Sequence, residues 1–139
     1  MVVEVVVDAS VLVASFLESD VHHPKALEYI RGLQTGEYAF HLPKLALIET
    51  LAAINRRAQR NQQIYVLRAK QSFEQWQADG KITFYDLQEN RTQNAVTVAI
   101  RDRLKGPDAV YVALAEELNL ELKTFDKEQL DRFRGLVSS

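Results

Sequence analysis

Val2-Val3-Glu4-Val5-Val6-Val7-Asp8-Ala9-Ser10 opens the chain and decides how the rest is read. Five of the six residues from Val2 to Val7 are valine, a β-branched side chain that favours strands. The apolar run does not alternate, so both faces of the strand expect burial, the condition of a parallel sheet covered by helices on each side. Asp8 ends the run, and Ala9 to Leu17 reads as a helix. A carboxylate therefore stands at the carboxyl end of the first strand, where open α/β sheets bind ligands.

The rest of the chain repeats this strand-then-helix grammar. A helix opens at His23-Pro24, with Pro at its start, and stops near Gly36. Tyr38 to Leu42 is a short strand. Pro43 starts a long helix to about Arg60, with Leu45, Ile48, Leu51, Ala52 and Ile54 on one broad apolar face. Another helix runs from Gln62 to Ala78, and Ile82 to Tyr85 is a strand. Thr92 caps a helix that ends near Lys105-Gly106, and a further helix continues to Leu118. Leu120 to Thr124 is the last strand, and Lys127 to Phe133 forms a closing helix before a frayed Val137-Ser138-Ser139. Strands alternating with helices predict an α/β fold with a parallel sheet. No linker-like tract divides the chain, so residues 1–139 read as a single domain.

Composition narrows the chemistry. The 139 residues carry 17 Lys and Arg against 19 Asp and Glu, a net charge of −2 that marks neither a basic nucleic-acid arm nor an acidic tail. Cysteine is absent, which excludes disulfides, thiolate zinc sites and cysteine nucleophiles. The first residues lack the basic flank and longer apolar core of a secretory signal, and no stretch approaches the ~18 apolar residues of a membrane span. The expected location is cytoplasmic.

Four acids stand in telling places. Asp8 and Asp126 follow strands, and each is also well suited to capping the helix after it. Glu49 lies mid-helix at the border of the apolar face, with small Ala46 and Ala53 one turn away; a flexible stem reaching water is the plainer reading for it alone. Asp108 follows Gly106-Pro107 and would be favoured in a first helical turn by the backbone dipole. Together, four carboxylates on one rim repel one another unless a cation intervenes. Oxygen donors without Cys or His select a hard ion such as Mg²⁺ or Mn²⁺.

At these residues the chain resembles the PIN-domain family of metal-dependent nucleases, especially the VapC-type toxins of prokaryotic toxin–antitoxin pairs. The matching pieces are Val5-Val6-Val7-Asp8-Ala9-Ser10, Leu47-Ile48-Glu49-Thr50-Leu51, Gly106-Pro107-Asp108-Ala109 and Leu122-Lys123-Thr124-Phe125-Asp126, in that order. The resemblance implies a three-layer α/β/α sandwich with a central parallel sheet. It implies that Asp8, Glu49, Asp108 and Asp126 are the catalytic Mg²⁺ or Mn²⁺ site, with the Ser10 and Thr124 hydroxyls behind the ligands or on phosphate. It further implies an endoribonuclease acting on single-stranded or structured RNA, leaving 5′-phosphate and 3′-hydroxyl ends. A VapB-type antitoxin partner and a homodimer follow from the same likeness. One departure is the stretch Arg101-Asp102-Arg103-Leu104-Lys105-Gly106-Pro107, which is basic but carries Asp102 and Pro107 before the third acid.

Other residues have plainer roles beside their functional ones. Arg56, Arg57 and Arg60 suit phosphate contact, and suit a helix C-terminus slightly better. His22, His23 and His41 lack ligand spacing. Tyr65, Phe73 and Trp76 have the chemistry to stack bases but fit a core or an interface better, and Leu67, Phe73 and Trp76 suggest an apolar patch for a dimer. Tyr111, one turn after Asp108, reads as buried with a tethered hydroxyl. The alternative to an enzyme is a catalytically inactive module of the same fold that binds RNA or a protein partner; four clustered acids argue against it. An aspartyl-phosphate enzyme built on Asp8 expects a second acid where Ser10 stands, and leaves Glu49 idle.

Overall fold

The computed structural model describes residues 1–126 and 137–138. Its elements follow the order β1 (Val3–Val7), α1 (Ala9–Phe16), α2 (His23–Thr35), β2 (Tyr38–Pro43), α3 (Leu45–Arg57), α4 (Gln62–Ala78), β3 (Ile82–Tyr85), α5 (Glu89–Asp102), α6 (Gly106–Leu118), β4 (Glu121–Lys123) and β5 (Val137–Ser138). All strand pairs are parallel, and the sheet order is β3-β2-β1-β4-β5. The helices pack in two groups, α1 with α2 and α3, and α3 with α4, against α5 with α6. Phe73 of α4 meets Phe84 and Tyr29 of α2 meets Tyr38 on one face of the sheet, while α6 lies against β1, β2 and β4. Helices on both faces of a parallel sheet make the expected three-layer sandwich.

Strand β1 is central because its valines demand cover on both sides. Val5, Val6 and Val7 are fully buried, among Phe40 and Leu42 of β2, Leu122 of β4, and Leu12, Tyr111 and Val112 from the helices. Burial of such apolar area, at about 25 cal/mol per Å², is the main term that holds the layers together. From β1 the chain winds outward through β2 to β3, then crosses back to place β4 on the other side of β1. The winding direction therefore reverses between β1 and β4, and the carboxyl ends of strands at such a switch point are where open α/β sheets bind ligands. Register aligns Val7 with Lys123, so Asp8 and Thr124 emerge side by side.

Several boundaries differ from the sequence reading. Pro43 does not start a helix; it ends β2 opposite Tyr85, at the last paired position before Lys44 turns the chain into α3. That helix stops at Arg57, three residues early, because Ala58 is extended. Thr92 is not a cap. Helix α5 begins at Glu89, and the Thr92 hydroxyl bonds back to the Gln88 carbonyl at 3.1 Å, as helical threonines do. Ile48 and Ala52 were expected on the buried face, yet both are exposed, Ile48 at 68%. Phe73 and Trp76 are core residues packed with Phe16, and only Leu67 of that trio is exposed. Val137-Ser138, expected to fray, extends the sheet beside β4. The helix expected over 127–133 lies outside the described residues. Among the described residues no helix is long and apolar enough to cross a membrane.

Candidate active site at the carboxyl edge of β1 and β4

Asp8 is only 3% exposed, and it serves two local purposes. As N-cap of α1 it accepts from the Ser10 backbone N–H at 3.1 Å and from the Val11 N–H. Its Oδ1 also accepts from the Ser10 hydroxyl at 2.5 Å, and its Oδ2 from the Thr124 hydroxyl at 2.5 Å. These hydroxyls are themselves held. Ser10 Oγ accepts from the Phe125 N–H and Thr124 Oγ1 from the Asp126 N–H, both at 2.9 Å. The result is a knot that ties the loop after β4 to the first turn of α1. Thr124 is fully buried within it.

Two of the four acids sense each other here. Asp126 is close enough for its negative charge to raise the Asp8 pKa. The larger cause is burial, which pushes the carboxyl from 3.8 to about 6 against the pull of the Ser10, Thr124 and Val11 donors. Low dielectric disfavours the charged form, and a second carboxylate adds to the cost.

Glu49 joins by a bridge. It is half-buried on α3, and its Oε1 accepts from the Tyr111 hydroxyl at 2.7 Å. Tyr111 in turn feels the charge of Asp8 as well as of Glu49; its pKa is held well above 10, first by burial and then by these acids. Asp108 sits in the first turn of α6, three residues before Tyr111, and is half-buried. Among the described residues, no three acidic or imidazole side chains stand together as a ready-made cation cage. Asp126 thus lies within electrostatic reach of Asp8, Glu49 is bonded to a tyrosine that also senses Asp8, and Asp108 lies one helical turn from that tyrosine.

Beside the site runs an open groove of about 410 Å³ between α1 and α3. Ser10 and Glu49 line its inner end, Ile48 and Ala52 its exposed side, and Arg56 and Arg57 its far end. Arg57 is engaged by Asp20 at 2.8 Å. Arg56 is exposed and has no ion-pair partner among the described residues. Tyr65 lines a separate hollow with Arg60, and the histidines stay apart from the acids: His23 bonds the Ala14 carbonyl, His41 bridges Tyr85 and Glu4, and His22 stacks on Phe125.

The oxygen-only donor set fits a hard divalent cation. An ion would relieve the charge that burial makes costly at Asp8, and the residues in reach, carboxylates and hydroxyls, are the donors Mg²⁺ and Mn²⁺ prefer. Tyr111 is buried with a tethered hydroxyl, as expected from the sequence, but its link to Glu49 was not expected. Its signal was present, since position 111 lies one turn beyond Asp108, but its partner is 62 residues away.

A family model described as PIN domain matches residues 5–136. No curated protein sequence matches the chain. Among solved structures, a Pyrobaculum aerophilum protein is similar at TM-score 0.71 and 22% identity, over 97% of this chain and 83% of that one. VapC20 of Mycobacterium tuberculosis, described as a toxin that cleaves the sarcin-ricin loop, is similar at TM-score 0.72 and 17% identity, over 94% and 96%. A toxin–antitoxin complex from Klebsiella pneumoniae contains a chain similar at TM-score 0.69 and 15% identity, over 97% and 96%. At these identities the likeness speaks for the fold.

Proposed function

The chain belongs to the PIN-domain family, and from that premise we propose that it is a divalent-metal-dependent endoribonuclease, the toxin of a type II toxin–antitoxin pair acting in the cytoplasm. The observation that carries this reading is Asp8. A carboxyl buried at the switch point of a parallel sheet, costly to ionise and faced by Asp126, stands where these folds place ligands. A buried acid made costly to ionise by desolvation and a nearby acid is a candidate functional group.

In this reading Asp8, Glu49, Asp108 and Asp126 hold Mg²⁺ or Mn²⁺. When bound, the ion acidifies water and neutralises charge on a scissile phosphate. The chain's own residues do the rest. Ser10 and Thr124 fix both oxygens of Asp8, so that its carboxylate keeps one orientation. Arg56, and Arg57 when it leaves Asp20, hold flanking phosphates along the groove, while Ile48 and Ala52 offer apolar surface to a splayed base. Open access on the α1–α3 side suits a single strand or loop of RNA rather than a buried small molecule.

The VapC20 and Klebsiella likenesses support a toxin with a VapB-type antitoxin, and exposed Ile64 and Leu67 on α4 with Val96 and Ile100 on α5 support a homodimer. The deciding experiment is cleavage of a labelled RNA with Mg²⁺, with Mn²⁺ and with EDTA. Cleavage that needs an ion and disappears in Asp8→Asn supports the enzyme. Tight RNA binding without cleavage under every condition establishes the inactive binding module instead.

A further inference from the structure

Among the described residues Tyr111 is the largest fully enclosed side chain of the core, 2% exposed, yet its hydroxyl is not spent on packing. That hydroxyl lies at the meeting point of three elements. It belongs to α6, it accepts from the Ala9 backbone N–H at the start of α1, and it donates to Glu49 Oε1 on α3 at 2.7 Å. The direction of the last bond follows from the first two facts. A backbone N–H can only donate, so a lone pair of the tyrosine oxygen faces Ala9 and its single proton is free for the carboxylate.

Glu49 needs such a constraint. It sits at the edge of α3 with a three-torsion side chain beside an open groove, where a glutamate left alone swings into water. A hydrogen bond from a buried, rigid phenol to one carboxylate oxygen removes most of that freedom and leaves Oε2 as the oxygen outside that bond. The Ala9 N–H follows Asp8 directly in the chain, so the Tyr111 oxygen stands between the backbone next to Asp8 and the Glu49 carboxylate. We propose that Tyr111 is the positioning residue of the acidic site: through the Ala9 N–H–Tyr111–Glu49 relay it presets one oxygen of Glu49 toward Asp8 for a divalent cation. This rests on the metal-dependent reading above, and it assigns the work of a core aromatic to the site rather than to the core.

Residues that orient ligands without touching the ion commonly change its affinity 10- to 100-fold when they are lost. Tyr111→Phe removes the hydroxyl and keeps the ring that fills the core, so the fold is retained. The test is Mn²⁺ binding by isothermal titration calorimetry on the parent, Tyr111→Phe, Glu49→Gln and the double variant, with the melting temperature in EDTA as the fold control. RNA cleavage is measured beside it. Tyr111→Phe is expected to bind Mn²⁺ about 10-fold more weakly or worse, to lose kcat with KM for RNA unchanged, and to lose nothing further in the Glu49→Gln background, because both changes break the same relay. A parent that binds Mn²⁺ while Tyr111→Phe binds it equally well overturns the inference alone. So does an equal further loss in the Glu49→Gln background, which would make Tyr111 a structural residue acting elsewhere. A parent that binds no Mn²⁺ overturns the metal reading and this inference with it.

Discussion

On one side of the sheet, Glu4, His41, Tyr85, Arg91 and Glu117 form a polar chain: His41 bonds Glu4 at 2.9 Å and Tyr85 at 2.6 Å, Arg91 lies 5.1 Å from the Tyr85 ring centre, and Arg91 and Glu117 pair through two parallel bonds at 3.0 and 3.1 Å. Nearby, Lys44 holds Asp86 at 2.7 Å and pulls its carboxyl below the usual range. At the carboxyl end of β1 the opposite is done. Asp8 is met by hydroxyls and backbone N–H groups, is faced by another acid, and is pushed up to about 6. The first region settles its charges with partners in hand. The second leaves a buried acid costly to ionise, and folds keep such costs mainly where function needs them.

The comparison breaks most sharply at Asp108. Asn keeps the size of Asp and caps about as well, so a purely structural Asp108 loses almost nothing on Asp108→Asn. As a ligand it loses the charge that holds a hard cation. We expect a folded protein whose RNA cleavage falls by at least ~100-fold, the scale of removing one main electrostatic contributor to catalysis. Single-turnover cleavage of the same RNA checks it, with Glu117→Gln as the reference from the paired region. Equal rates for both variants would return Asp108 to the role of a helix-start residue.

The pH dependence follows from Asp8. Its folded pKa is raised, so its contribution to stability is complete below 3.8 and is lost as pH rises through about 6. Ionising a carboxyl held near 6 rather than 3.8 costs roughly 3 kcal/mol in all, about half of it between pH 5 and pH 7.5. In EDTA, the parent should lose on the order of 1.5 kcal/mol relative to Asp8→Asn over that interval, read by urea denaturation at each pH. Saturating Mg²⁺ should abolish or reverse that difference, because the ion favours the ionised acid. A parallel pH course for the two proteins in EDTA would place Asp8 among ordinary satisfied caps.

Much of this architecture is legible in the sequence because burial writes it there. Val5 to Val7 can only be a strand covered on both faces, and from that strand the places of Asp8 and of Thr124 to Asp126 follow. What is not legible depends on contacts between distant segments. Nothing near Tyr111 in the chain announces Glu49. Ile48 has the spacing of a core residue, yet α3 turns that side to the groove. Phe73 and Trp76 look like surplus apolar residues until Phe16 of α1 arrives beside them.

Thr50 offers a smaller test, next to Glu49 but facing inward. It is fully buried, and its hydroxyl has no partner among the described residues. An unmet buried hydroxyl is a cost with no ionic purpose, unlike Asp8. Thr50→Val keeps the shape and the helix propensity, and should stabilise the protein by about 1 kcal/mol. Denaturant midpoints measure it, and a loss of stability or of Mn²⁺ binding would show that this hydroxyl belongs to the site after all.

The smallest effect is expected in the paired region itself. Glu117→Gln keeps the length of the side chain and one hydrogen bond to Arg91, but removes the charge. Both partners are partly exposed, at 23% and 30%, so water screens much of their attraction and the ordering of two long side chains offsets part of the rest. The pair is worth about 0.2 to 1 kcal/mol. Its loss should shrink further in 1 M salt, where the screening length is about 3 Å. Denaturation at low and high salt reads both numbers, and Mn²⁺ affinity should not move. A loss above about 2 kcal/mol, insensitive to salt, would mean that Arg91 is buried and stranded without its partner, and that this side of the sheet carries the same kind of cost as the Asp8 end.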